Sequence, residues 1–243
     1  MDWRALVASG VPGPDEVRVV RIPLDGPSAD LAETLSADER ERAARFVFDV
    51  HRRRFVAARA SLRRVLALCL DRDPAGLSFE YTDRGRPSLR LASHPDFDFN
   101  LAHSGDLALL ALSSRTVGID VEQLREIPNG LEIARRFFSP REVVALKHLT
   151  ENERRGGFVN AWTRKEALIK AVGAGLGALE ETEVNLAPGE TPTVLSAPGG
   201  AGAWQLFHLE PSAGFVGALA VQAAPPCVRL TTWQFPAPSG PAR

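Results

Sequence analysis

The octet VGIDVEQL, Val117–Leu124, sets Asp120 and Glu122 two residues apart inside an apolar run. Val117, Ile119 and Val121 alternate with Gly118, Asp120 and Glu122, which is the period of a strand. Both carboxylates would then share one face, beside a glycine that leaves room for a ligand. Carboxylates this close repel each other unless a proton or cation is shared between them. Hard oxygen ligands of this sort suit Mg²⁺, which takes one or two protein carboxylates and completes its octahedron with water and phosphate oxygens. Taken alone, the octet favours the plainer reading of a half-buried strand with a solvated polar face.

A second stretch shifts that balance. In WTRKEALIK, Trp162, Glu166 and Lys170 are spaced four apart and form one helical stripe, with Lys165 beside it. Glu166 ahead of Lys170 is also the order of an ordinary surface ion pair, worth only about 0.3–0.5 kcal/mol. Trp162 on the same stripe is costly to expose, so the stripe is expected to face a cleft. Arg52, Arg53 and Arg54 crowd the start of another helix, where cations oppose the macrodipole unless an anion binds there. GAGLG, from Gly173, follows a helix instead of joining a strand to a helix start, which argues against a dinucleotide-binding loop and for a helix ending at Gly173.

The elements that must position these residues are legible in outline. VRVVRIPL reads as a strand over 17–24. Ser36 followed three residues later by Glu39 is a capping box opening a helix over about 37–48. Phe55, Ala58, Leu62, Val65, Leu66 and Cys69 recur at helical spacing over about 51–70. LSFEY and RPSLRL flank the turn TDRG as a hairpin, DFNLAHSG leads into LALLALS, and VGIDVE is expected to pair back on it. The second half repeats this order: Ser139, Pro140 and Glu142 form another capping box, then come FVNAWTRKEALIKAV, strand-like VNL and TVL, and WQLFHLEPSAGFVGALAV. At an offset of 103 residues Ser36, Glu39, Phe55, Val56 and Ala58 meet Ser139, Glu142, Phe158, Val159 and Ala161; at 108, Phe99, Leu101 and Ser104 meet Phe207, Leu209 and Ser212. The expected architecture is α+β: a pseudo-dimer of two similar lobes, residues 1–116 and 117–243, with a ligand cleft between them.

Bulk properties narrow the function. The chain has 243 residues, 44% of them hydrophobic, with 29 Lys+Arg against 30 Asp+Glu and a formal net charge of −1. It is a globular protein without the basic balance of a nucleic-acid binder. Only Lys147, Lys165 and Lys170 are lysines; that arginine carries the remaining positive charge reads first as a GC-rich coding bias, although arginine is also the better fork for phosphate oxygens. Cys69 and Cys227 have no partner at metal-ligand spacing and read as buried free thiols. The opening MDWRALVASG resembles no targeting segment, no run reaches the roughly 18 apolar residues of a membrane span, and a reducing cytoplasm fits. The Pro- and Gly-rich tail from Ala237 is expected to fray.

On GIDVE at Gly118–Glu122 and WTRKEALIK at Trp162–Lys170, with NLAHS at Asn100–Ser104 and GRP at Gly85–Pro87 upstream, the sequence resembles the Sfp-type 4′-phosphopantetheinyl transferases. The resemblance runs from about Val17 to Gln222. It implies paired α+β lobes with coenzyme A and Mg²⁺, or Mn²⁺, between them. It further implies transfer of the phosphopantetheine arm of coenzyme A to a serine of an acyl or peptidyl carrier protein in fatty acid, polyketide or nonribosomal peptide synthesis, with release of adenosine 3′,5′-bisphosphate. A monomer is expected, since the chain is its own pseudo-dimer.

By position within that family, Asp120, Glu122 and Glu166 would hold the metal, and Lys170 would serve the leaving phosphate. Glu166 is the first candidate for the base that deprotonates the serine; Glu142 is the second, although its place in a capping box explains it equally well. Arg54 best matches the residue gripping the 3′-phosphate of coenzyme A, with Arg42 assisting. Arg86, His103, Ser104, Lys165 and Lys170 complete the implied coenzyme A contacts. Glu39 stands where relatives carry a basic residue, so that phosphate contact is not expected. Residues from about 173 to 195 would border the carrier-docking cleft. Two other readings remain: a non-catalytic module that binds coenzyme A and carriers, and a metal-dependent hydrolase of nucleotide pyrophosphates.

Overall fold

The first strand, β1 (Glu16–Pro23), is buried along most of its length because both of its edges and both of its faces are covered. The structure, a computed structural model, describes residues 10–26, 29–89, 91–223 and 228–236. The readings of Cys227, of the N-terminal segment before residue 10 and of the tail from Ala237 lie outside the described residues. Among them, no helix is long and apolar enough to cross a membrane.

Helix α1 (Ala37–Ala44) opens on Ser36 with both halves of the expected capping box. It ends four residues short of the expected 48. Phe46, Val47 and Phe48 form a separate exposed corner in which Phe46 packs on Phe55. Helix α2 (Asp49–Leu70) starts two residues earlier than expected, because Asp49 in its first turn pairs with Arg52 and Arg53. That carboxylate at the positive end of the helix dipole offsets the crowd of arginines. Strands β2 (Glu80–Tyr81) and β3 (Pro87–Ser88) form the small hairpin, with Gly85 in the left-handed region its turn requires. Strands β4 (Asp98–Ser104), β5 (Leu107–Ser113) and β6 (Val117–Gln123) follow.

The second half adds α3 (Gly130–Phe137), a helix not anticipated from the sequence, then α4 (Pro140–His148) and α5 (Glu151–Val172). Ser139 and Thr150 cap the last two with complete capping boxes. Short strands β7 (Glu183–Val184) and β8 (Val194–Ser196) pair with each other. Strands β9 (Trp204–Leu209), β10 (Phe215–Gln222) and β11 (Arg229–Gln234) complete the chain.

The repeat holds element by element. One sheet contains the order β1-β5-β4 and the other β6-β10-β9, and each is packed by a long helix of 22 residues, α2 or α5. The expected pairing of β6 with β5 does not occur. Strand β5 already has β1 and β4 on its two edges, so its backbone groups are taken, and β6 pairs antiparallel with β10. Strand β6 begins at Val117, and β11 returns to lie parallel to β1 on the edge of the first sheet. A third core lies between the lobes and contains Val117, Ile119 and Val121 together with Val17, Leu109, Leu219 and Val221. Each such buried side chain contributes roughly 1.5–3 kcal/mol, which holds the two lobes as one body.

Candidate active site

The site begins with a glycine. A Cβ on Gly118 would lie 2.0 Å from the Ala167 carbonyl oxygen and 2.5 Å from the Ala171 amide nitrogen of α5. Gly118 therefore leaves room for a helix, not for a ligand as its place in the octet had suggested. This close approach brings the polar face of β6 against the stripe Trp162, Glu166 and Lys170, which is half-buried as expected for a cleft wall.

Across that contact Lys170 Nζ donates to Asp120 Oδ1 at 2.6 Å. The surface pair Glu166–Lys170 is not formed, and Glu166 has no donor among the described residues. Asp120 Oδ2 is buried without a hydrogen-bond partner among the described residues. Burial pushes the Asp120 carboxyl up to about 7; the ammonium of Lys170 opposes that rise, while Glu122 and Glu166 add to it. Glu166 is raised in the same way, first by burial and then by Glu122, with Lys170 opposing. Three carboxylates thus share one electrostatic neighbourhood with a single ammonium, an arrangement short of positive charge. Among the described residues, no three acidic, histidine or cysteine side chains already stand close enough to cage a metal ion.

The first lobe contributes the opposite wall. His103, at the end of β4, keeps an exposed edge, yet packing around its ring and the nearby cations Lys170 and Arg54 hold it below the usual histidine range against the pull of Glu122. Arg54 is thereby placed within electrostatic reach of the β4 end. Both its Nε and Nη2 donate to Asp25, at 2.7 Å each. Arg42 lies on the exposed rim with its guanidinium over the Phe55 ring at 5.4 Å.

Other predicted residues have different tasks. Arg86 Nη1 donates to the Lys170 carbonyl at 2.7 Å, and Nη2 donates to both Asp98 carboxylate oxygens at 2.8 Å and to the Val117 carbonyl at 2.9 Å. A guanidinium so fully bonded clasps the hairpin, β4, β6 and the end of α5 together and is not free to bind phosphate. Ser104 donates to Glu122 Oε2 at 2.8 Å and accepts from the Gln123 amide at 3.2 Å; its hydroxyl is spent within the protein.

Glu142 and Lys165 leave the site altogether. The two are ion-paired with each other and closed to solvent. Glu142 also accepts from the Ser139 and Val184 amides, at 2.8 and 2.9 Å, while Lys165 donates to the Thr182 carbonyl at 2.6 Å. Glu142 is therefore a capping and anchoring residue, as its Ser139 box allowed, with both carboxylate oxygens bonded within the protein. Glu39 is likewise buried, between Arg59 and Arg63, at 2.5 Å from each, which accounts for an acid at a position where a phosphate contact was not expected. Cys69 is a buried free thiol, raised to about 11 by burial.

Sequence reasoning missed a cavity of about 460 Å³ beside Glu122, walled by Ile127, Ile133, Phe158 and Trp162 with Gln123 and Asn129 at its polar edge. One wall, Ile133, comes from α3, which was not anticipated, while Phe158 and Trp162 come from α5, so the only signal in the sequence was the unexplained cost of Trp162. Gly173 ends α5 in the left-handed conformation, as its position after the helix implied.

A family model described as the 4′-phosphopantetheinyl transferase superfamily matches residues 116–222. A second, described as 4′-phosphopantetheinyl transferase, N-terminal, matches residues 24–115. The 4′-phosphopantetheinyl transferase HetI of Nostoc sp. is 45% identical over 213 residues, which cover 85% of this chain and 88% of that protein. The 4′-phosphopantetheinyl transferase of Bacillus subtilis is 34% identical over 146 residues, 60% of this chain and 63% of the relative. The L-aminoadipate-semialdehyde dehydrogenase-phosphopantetheinyl transferase of Homo sapiens is 31% identical over 166 residues, 64% and 54% respectively.

Proposed function

This chain belongs to the 4′-phosphopantetheinyl transferase superfamily, and from that premise we propose that it transfers the phosphopantetheine arm of coenzyme A to a serine of an acyl or peptidyl carrier protein. The serine Oγ forms a bond to the β-phosphorus, the bond from that phosphorus to the bridging oxygen breaks, and adenosine 3′,5′-bisphosphate leaves. Carriers of fatty acid, polyketide or nonribosomal peptide synthesis are the substrate class. The observation that carries the reading is the Lys170–Asp120 bond, with Glu122 and Glu166 near enough to act on Asp120 electrostatically. One chain supplies both walls of that cleft, which supports a monomeric enzyme.

The donor set fits a hard divalent cation. The orphaned Asp120 Oδ2 is buried, and three carboxylates are offset by one ammonium, the chemistry that Mg²⁺ or Mn²⁺ satisfies. Asp120, Glu122 and Glu166 would hold it. When bound, such an ion offsets the charge that develops on the diphosphate oxygens.

The chain's own groups supply the remaining work. Glu166, without a donor among the described residues and raised by burial, accepts the serine proton; a raised carboxylate is the better base near neutral pH. Lys170, at the Asp120 end of the stripe, steadies the leaving phosphate. Arg54 and His103 face the coenzyme A phosphates from the first lobe, with Arg42 assisting from the rim; Arg54 exchanges Asp25 for the incoming phosphate. The cavity beside Glu122 holds the pantetheine arm, with Gln123 and Asn129 at hand for its amides. The carrier docks along residues 173–195.

The test is incubation with coenzyme A, Mg²⁺ and a panel of apo carrier proteins. A mass gain of one phosphopantetheine arm on a carrier is the expected result. Cleavage of coenzyme A with no carrier modified would make the protein a hydrolase, and binding with neither would make it a recognition module.

A further inference from the structure

Strands β4 and β6 run side by side across the seam between the lobes without a backbone ladder joining them. Side chains of β4 take the place of that ladder. Asp98 Oδ2 accepts from the Val117 amide at 2.9 Å, Asn100 Oδ1 accepts from the Ile119 amide at 2.9 Å, and Ser104 Oγ accepts from the Gln123 amide at 3.2 Å. Each bond spans 19 residues, so the strands are parallel and in register. Ala102, small and buried, occupies the remaining step on the same face of β4. Asp98 is itself fixed by Arg86, and Asn100 is buried.

A backbone ladder would draw two strands to about 4.8 Å. Side-chain rungs instead satisfy the Val117, Ile119 and Gln123 amides of β6, whose other edge is bonded to β10. The last rung differs from the others because Ser104 accepts from one residue of β6 and donates to the side chain of its neighbour, Glu122 Oε2, at 2.8 Å.

We propose that this β4 ladder sets the register of the two lobes and that Ser104 is a positioning residue that orients the Glu122 carboxylate toward Asp120 and Glu166. The proposal rests on the transferase reading above. A hydroxyl donated to one carboxylate oxygen fixes the rotamer and leaves the other oxygen for a ligand. Outer-shell bonds of this kind are worth about 10–100-fold in metal affinity.

The test compares Ser104→Ala with Ser104→Thr, which keeps the hydroxyl on a residue suited to a strand. Mn²⁺ is titrated into each protein, melting temperature and Gln123 amide exchange are followed without metal, and kcat and KM for coenzyme A are measured with an apo carrier. Ser104→Ala is expected to weaken Mn²⁺ binding about 10-fold and to speed exchange of the Gln123 amide. The transfer rate at limiting metal should fall, with KM for coenzyme A little changed. Ser104→Thr should recover Mn²⁺ affinity. Native Mn²⁺ affinity in Ser104→Ala, or a Thr variant as weak as the Ala variant, would overturn the proposal. Those outcomes leave the transferase reading standing; a native protein that neither binds Mn²⁺ nor modifies any carrier would remove that reading itself.

Discussion

Lys170 Nζ lies 2.6 Å from Asp120 Oδ1, while the other oxygen of that carboxylate is buried and unpaired. A helix and a strand from the second lobe meet at this bond, and Gly118 is what lets them come so close. The two oxygens of Asp120 therefore differ: one is committed to Lys170, and the other has no hydrogen-bond partner among the described residues.

Asp120→Asn should alter the pH dependence of stability in the metal-free protein. The folded-state pKa of about 7 stands above the ordinary value of 3.8, so between those values the folded protein holds a proton that the unfolded chain has released. Stability from this group is then lost as pH rises from about 4 to 7, by up to about 4 kcal/mol. Melting curves from pH 4.5 to 7.5 should be flatter for the variant than for the native protein. Metal binding requires the deprotonated carboxylate, so Mg²⁺ should stabilise the native protein increasingly up to about pH 7 and the variant scarcely at all.

Glu166→Gln should nearly abolish transfer while the fold survives. A neutral amide of the same shape removes a half-buried charge that has no partner among the described residues, so the melting temperature should hold or rise. Carrier modification by mass spectrometry checks the first part and calorimetry the second; native turnover would remove Glu166 from the mechanism.

Lys170→Ala should lower kcat more than it raises KM for coenzyme A, by about 100-fold against less than about 5-fold, if the ammonium acts chiefly on charge formed in the transition state. Steady-state kinetics with a saturating carrier separate the two. The opposite split would make Lys170 a binding residue only.

Glu142→Gln should cost stability and spare chemistry. It breaks a closed ion pair with Lys165, for which about 3–5 kcal/mol is the ordinary loss. The folded fraction should keep a turnover within about threefold of native, because Glu142 touches no cleft residue proposed to react. A folded variant with no activity would return Glu142 to the list of candidate bases.

Gly118→Ala should be among the most damaging single-methyl changes in the chain. The added carbon would sit 2.0 Å from a helix carbonyl, so β6 and α5 must part. The cost is expected to reach about 3 kcal/mol or more, with activity lost beyond what the melting temperature accounts for.

Much of the molecule was legible in its sequence because the relevant forces are local. Capping boxes at Ser36 and Ser139 join residues three apart, and the periodicities of α2, α5 and β6 express which neighbours share a face. The same locality set Asp120 beside Glu122, and Glu166 on a stripe with Lys170, while the roles given to them came from the family resemblance. Tertiary structure alone decided which partner each side chain meets. Edge strand β6 could bond to β5 or β10, and only the prior occupation of β5 by β1 and β4 chose between them. Arg86 and Lys165 carry charges equally suited to phosphate, yet carbonyls and carboxylates 12 to 84 residues away claim Arg86, and Glu142 claims Lys165. Buried charge must find its counter-charge in three dimensions, and no spacing along the chain records which one will be nearest.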